Sequence, residues 1–209
     1  MMKIILVNGS PNLKGCTYTG LEEIQFALLE EGIDSEIFQL GKKPLSGCVA
    51  CGSCKTTKHC GLKSDEVVND FLKKAASADG FIFGAPVHYA GINGSMKSFL
   101  DRVFFAGSGG FRGKPGAAIV SARRGGTTAA FDDLNKFFTI SEMPIVSSQY
   151  WNMIHGNTPE QVKEDHEGLQ TMRTLGKNMG WLLKSIDAGK KAGIELPEKE
   201  ERQWTNFIR

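Results

Sequence analysis

Four of the five cysteines in this chain, Cys48, Cys51, Cys54 and Cys60, fall within one short stretch, "GCVACGSCKTTKHC". Thiols this close can pair as disulfides, hold a zinc ion or ligate an iron–sulfur cluster. The spacing is C-x2-C-x2-C-x5-C. Structural zinc sites usually draw on two separated C-x2-C knuckles, so that each pair approaches the tetrahedron from its own turn. Successive two-residue gaps instead wrap a backbone around a cube, as in the run C-x2-C-x2-C-x3-C. Gly47 and Gly52 permit the tight turns that this needs. Lys55, Lys58, His59 and Lys63 make the surroundings basic, which suits a negatively charged cluster and equally a solvated loop.

A second stretch, "NGSPNLKGCTYTG", joins an apolar run to an amphipathic one. Ser10, Asn12, Thr17 and Thr19 offer neutral donors, and the start of a helix offers free N–H groups with positive dipole character. It is neither G-x-G-x-x-G nor a Walker loop. Neutral donors suit a bound monophosphate; an ordinary polar loop capping a helix has the same composition. Cys16 within it reads either as a thiol made acidic by the helix N-terminus or as a small side chain that fits. Two further stretches follow apolar runs: "APVHYAGING", with Pro86 fixing the backbone, and "SARRGG".

The elements that must position these loops alternate along the chain. Strands are expected at 4–7, 36–40, 80–84, 116–121 and 144–148, and helices at 19–31, 65–78, 94–105 and 128–139. A fifth helix is expected from Thr158, where Thr158 and Gln161 form a capping box and Pro159 takes the first helical position. "GFIFG" and "GAAIVS" have few polar breaks, as strands covered on both faces do. Such alternation predicts right-handed crossovers and a doubly wound α/β fold on a five-stranded parallel sheet. One domain is expected over 1–209, carrying a cysteine-rich loop at 47–61 and a peripheral tail at 196–209. In such sheets ligands bind beyond the C-terminal strand ends, where all the stretches above lie.

The 209 residues are 41% hydrophobic and 23% charged, with a net charge of +2, so neither a nucleic-acid surface nor an acidic shuttle is expected. The opening run is too short for a signal peptide and no stretch approaches a membrane span. A cytoplasmic protein with no membrane or nucleic-acid partner is the expectation, and a reducing compartment weakens the disulfide answer.

"ILVNGSPNLKGCT" resembles the phosphate loop of the flavodoxin-like NADPH-dependent FMN reductases, which reads GSPR-x-x-G-N-T. "GFIFGAPVHYAGINGSMKSFLDR" resembles that family's signature around the flavin, and the likeness continues through "SARRGG", covering roughly 2–150. The resemblance implies a flavodoxin-like sheet of order 2-1-3-4-5. It implies that Ser10, Asn12, Gly15, Cys16, Thr17 and Tyr18 surround the FMN phosphate. By the same likeness Pro86, Val87, His88 and Tyr89 line the isoalloxazine, with Ser121, Arg123, Gly125 and Gly126 closing its other edge. Cys16 departs from the family's Asn. Lys97 and Asp101 are expected to form an i,i+4 pair, and Asp101 and Arg102 to serve packing or subunit contacts.

The compact cysteine run is similar to that of the iron–sulfur flavoproteins, a branch of the same family in which four such cysteines bind one 4Fe-4S cluster. The expected function is therefore an FMN-dependent oxidoreductase with a 4Fe-4S cluster, passing electrons between a reduced donor and small acceptors. No catalytic acid–base pair is expected. If NAD(P)H serves as the donor, NADPH is expected to be preferred, with Arg123 and Arg124 favouring its 2′-phosphate. A small-molecule or protein redox partner is expected, and the family implies a homodimer or homotetramer. The rival readings are a cluster-free NAD(P)H-dependent FMN or quinone reductase and a zinc-stabilised binding module. The balanced charge and the lack of an aromatic–basic stripe speak against the module.

Overall fold

The computed structural model of the chain describes residues 2–63, 66–205 and 207. Its strands are β1 (Lys3–Asn8), β2 (Asp34–Gln39), β3 (Gly80–His88), β4 (Gly91–Ile92), β5 (Gly116–Ala122) and β6 (Met153–His155). The helices are α1 (Cys16–Glu30), α2 (Cys54–Thr57), α3 (Val67–Ala75), α4 (Gly94–Ala106), α5 (Thr127–Ile140), α6 (Pro159–Glu164) and α7 (His166–Lys191). The main sheet is parallel with order β2-β1-β3-β5-β6, and the two-residue β4 pairs antiparallel with the end of β3. Counted over the parallel strands alone, this is the expected 2-1-3-4-5 order.

Strand periodicity builds the layers. Side chains alternate between faces, so Ile5 and Val7 of β1 enter one core while Ile4 and Leu6 enter the other. The same split sends Phe81 and Phe83 one way from β3 and Ile82 the other. The first core lies under α3, α4 and α5 and is rich in phenylalanine: the Phe71 ring meets those of Phe38, Phe81, Phe83 and Phe99. The second lies under α1 and α7, whose Leu21, Ile24, Leu28, Met172, Leu175 and Met179 are buried together. Central strands buried on both faces explain the near-continuous apolar runs.

Two expectations need correction. The fifth parallel position is not a strand at 144–148; it is split. Ile145 makes only an isolated bridge to Gly116, the chain then leaves the sheet, and pairing resumes at β6 beside Val120–Ala122. Asn152, 1% exposed, holds the re-entry through an Nδ2 bond to the Ala118 carbonyl at 3.0 Å. The helix expected from Thr158 is two helices. Thr158 caps α6 by accepting from the Gln161 N–H, and Asp165 then caps α7 by accepting from the Gly168 N–H at 2.9 Å. The expected helix start at residue 65 lies outside the described residues; α3 is described from Val67.

Among the described residues no helix is long and apolar enough to cross a membrane. Residues beyond Leu196 have no regular structure among those described, and Trp204 and Phe207 are exposed. Arg112 ties the start of this tail by donating to the Pro197 carbonyl at 2.9 Å.

Candidate flavin and iron–sulfur sites

The loop between β1 and α1 is shaped by polar residues at strand ends. Asn8 and Gln39 are register partners on β1 and β2, and Asn8 Nδ2 donates to Gln39 Oε1 at 2.6 Å. Asn8 Oδ1 accepts from the Ser10 N–H at 3.1 Å, and Gln39 Nε2 donates to the Ser10 carbonyl at 2.7 Å. Ser10 Oγ then accepts from the Asn12 N–H at 3.2 Å. These bonds fix the turn before α1 begins.

Gly9 locks that turn to β3, its N–H donating to the Gly84 carbonyl at 2.8 Å. A Cβ at Gly9 would sit 2.9 Å from that same carbonyl oxygen, so the approach requires glycine. Asn93, 3% exposed at the start of α4, donates from Nδ2 to the Gly9 carbonyl at 2.8 Å. Its Oδ1 is buried with no hydrogen-bond partner among the described residues.

Gly15 is the N-cap of α1, and the first bond of the helix runs from the Thr19 N–H to the Gly15 carbonyl at 3.0 Å. No side chain caps it, so the N–H groups of Cys16, Thr17 and Tyr18 point out of the helix start uncapped. An uncapped terminus with positive dipole character is a seat for an anion. Thr17 is 1% exposed, and its hydroxyl is hydrogen-bonded to Ser121 Oγ at 2.7 Å, joining α1 to the end of β5. The Thr17 side chain thus braces the loop from behind.

Cys16 is half-buried, and its thiol donates to the Gly156 carbonyl at 3.6 Å, where the loop after β6 folds back. Burial pushes this thiol up from its ordinary value, outweighing the opposing effect of a backbone hydrogen bond. The acidic-thiol reading is therefore corrected, and the small side chain that fits is the reading that stands. A thiol raised by the fold favours the native state while protonated, a contribution lost as pH rises through the raised value. At neutral pH Cys16 is expected to react with iodoacetamide more slowly than exposed Cys48 and Cys51. Peptide mapping by mass spectrometry checks this, and a Cys16 rate equal to theirs would contradict it.

Opposite this loop, β3 ends in a tight hairpin. His88 pairs with Gly91, leaving Tyr89 and Ala90 as a two-residue turn with φ of +50° and +62°. Positive φ at both turn positions belongs to glycine and asparagine in most hairpins, so this turn stores strain. It leaves His88 exposed and sets Tyr89 fully out into solvent, beyond half-buried Pro86 and Val87. The turn between β5 and α5 packs against it: a Cβ at Gly126 (φ +87°) would stand 2.7 Å from Ala90 Cα and 3.1 Å from Val87 Cγ1. Ser121 is buried opposite Pro86 in the sheet register, whereas Arg123, Arg124 and Gly125 are exposed. The sheet thus gathers the three predicted loops at one edge.

The cysteine loop lies elsewhere. All four thiols line a groove of ≈ 1530 Å³ together with Arg102, Phe104, Phe105, Phe137, Ile140 and part of the tail. None of the predicted flavin residues lines it. All four are free thiols. They do not converge: among the described residues no group of three or more His, Cys, Asp or Glu side chains is gathered to hold a metal. Their chemistry still suits a cluster, as four unpaired thiols on one loop facing one groove. The sequence reading of Arg102 missed its contact with the cysteine loop, a 3.2 Å hydrogen bond from Nε to Cys60 Sγ. It also missed Asn8, Gln39 and Asn93. Lys97 and Asp101 pair as their spacing predicts.

Comparison with known proteins agrees with this geometry. Residues 2–158 match the family described as NADPH-dependent FMN reductase. An iron–sulfur flavoprotein of Methanocaldococcus jannaschii is 34% identical over 193 residues, spanning 88% of this chain and 99% of the relative. One from Archaeoglobus fulgidus is 28% identical over 198 residues, spanning 88% and 98%. Among solved structures, an NADH:FMN oxidoreductase in apo form superposes with a TM-score of 0.66 at 14% identity, covering 87% of this chain and 90% of its own. An archaeal flavodoxin gives 0.60 at 16%, covering 88% and 99%. At these identities the two structures speak for the fold alone.

Proposed function

Because this chain belongs to the NADPH-dependent FMN reductase family, in its iron–sulfur flavoprotein branch, and is a flavin-dependent oxidoreductase, we propose that it holds FMN across the three gathered loops and a 4Fe-4S cluster on Cys48, Cys51, Cys54 and Cys60. The observation that carries the flavin half is the uncapped start of α1, held rigidly by Gly9, Asn93 and the Asn8–Gln39 pair. The N–H groups of Cys16, Thr17 and Tyr18, with Ser10, Asn12 and Gly15, form the phosphate seat. Pro86, Val87, His88 and Tyr89 wall one edge of the ring, and Ser121, Arg123, Gly125 and Gly126 the other. FMN exchanges electrons in pairs or singly and a 4Fe-4S cluster singly, so the two together convert one mode into the other. The chain's own part is to orient the ring with backbone dipoles and to keep both groups anchored. Exposed Arg123 and Arg124 offer the 2′-phosphate of NADPH two guanidiniums. Its partners on this reading are small-molecule or protein redox partners, and it works as a homodimer or homotetramer.

The cluster half rests on the cysteine spacing and on four free thiols facing one groove. The non-convergence of those thiols favours the second reading, a cluster-free flavin reductase. Anaerobic reconstitution separates the two. The parent is expected to take up about four iron and four sulfide per chain, and Cys54→Ala to lose them while keeping FMN. Uptake of no sulfide, or of one zinc, would leave the cluster-free reading standing.

A further inference from the structure

Arg102 is the largest fully buried side chain described, at 1% exposure, and it sits on α4 beneath the cysteine loop. Its donors fan into that loop. Nε reaches Cys60 Sγ at 3.2 Å, Nη1 the Ser46 carbonyl at 3.3 Å and Nη2 the Leu62 carbonyl at 3.5 Å. Ser46 precedes the first of the four cysteines and Leu62 follows the last. One guanidinium therefore pins both ends of the loop and one of its sulfurs. A planar fork of five donors is the side chain that can do this; lysine's point charge cannot bind three acceptors in that geometry.

The sulfur contact is the informative one. A neutral thiol is a weak acceptor, so an N–H···S bond to it is a weak one. A thiolate bound to a cluster is a strong acceptor, and the bond becomes charge-assisted. Helix α4 also reaches the other site, because Asn93 at its start holds the Gly9 carbonyl. Nine residues of helix, about 14 Å at 1.5 Å each, separate Asn93 from Arg102.

We propose that Arg102 is the positioning residue of the iron–sulfur site: it aims Cys60 into the groove, holds the loop ends in place before metal arrives, and raises the cluster's reduction potential by donating to the Cys60 sulfur. This rests on the cluster reading above. Adding one electron makes the cluster more negative, and a fixed cation with an N–H···S bond stabilises that state over the oxidised one. No bond to iron is made by Arg102 itself.

The test uses the full chain with FMN bound, reconstituted anaerobically with iron and sulfide, comparing the parent with Arg102→Lys and Arg102→Gln. Both variants are expected to keep FMN. Arg102→Lys keeps the charge and loses the fork, so it should load the cluster with a more negative midpoint potential than the parent. Arg102→Gln loses the charge as well, so its potential should fall further or its iron content drop. Before metal is added, tryptic cleavage at Lys55 and Lys58 should quicken roughly tenfold in both variants, reporting the released loop ends. If both variants fail to fold, the parent labelled with 15N-arginine decides: its reduced cluster should show a nitrogen hyperfine coupling that arginine labelling shifts. A loaded parent whose potential is matched by both variants, or that shows no such coupling, overturns the proposal and leaves the cluster in place. A parent that takes up neither iron nor sulfide overturns the cluster reading itself, and the proposal with it.

Discussion

Gly126→Val is expected to weaken FMN binding roughly tenfold or more and to destabilise the fold by about 2–4 kcal/mol. Two costs add. Gly126 has φ +87°, a conformation that a β-branched residue adopts only with strain. A Cβ there would also stand 2.7 Å from Ala90 Cα, which is backbone and has no rotamer with which to yield. The only relief is to separate the β5–α5 turn from the β3–β4 hairpin. That hairpin already carries positive φ at Tyr89 and Ala90, so its geometry depends on support from outside. Moving it displaces Pro86–Tyr89 relative to Arg123 and Gly125, the two walls assigned to the ring. Denaturant melts with and without FMN separate the two effects: stability falls in both, and the increment from FMN shrinks. An unchanged FMN increment would show that the two turns need not touch for the flavin to bind.

How much of this was legible in the sequence depends on the kind of signal each element leaves. The central strands announce themselves because burial on both faces demands unbroken apolar runs such as "GFIFG" and "GAAIVS". The edge position does not. "PIVSS" has strand composition and touches the sheet at Ile145, but the pairing that persists is the three-residue "MIH" of β6, too short to show a period. The break between α6 and α7 was written in the chain as Asp165, an N-cap residue inside a helical pattern.

At the site, the loop chemistry was readable from Ser10, Gly15 and Thr17, yet the side chains that shape the loop were not. Asn8, Gln39 and Asn93 are single polar residues whose meaning comes from strand register and from a contact across 84 positions. Thr17 was read as a phosphate ligand by its hydroxyl; in the fold that hydroxyl is hydrogen-bonded to Ser121. Cys16 left two readings open because the helix N-terminus is visible in sequence and desolvation is not. Arg102 was expected to serve packing or subunit contacts, and its particular partner Cys60, 42 positions upstream, left no signal in the sequence.

The central claim is that a phosphate seated on the start of α1 carries much of the flavin affinity. Two or more charge-assisted bonds from uncapped N–H groups, each contributing about 1.5–3 kcal/mol, would put riboflavin roughly a hundredfold or more below FMN. The seat uses neutral donors and a helix dipole, so the discrimination should survive moderate salt better than an arginine or lysine site would. The direct measurement is calorimetric titration of the flavin-free chain with FMN and, separately, with riboflavin. Micromolar or tighter binding of FMN, with riboflavin weaker by roughly two orders of magnitude, is the predicted result. Equal affinity for the two, or no binding of FMN, would contradict the account.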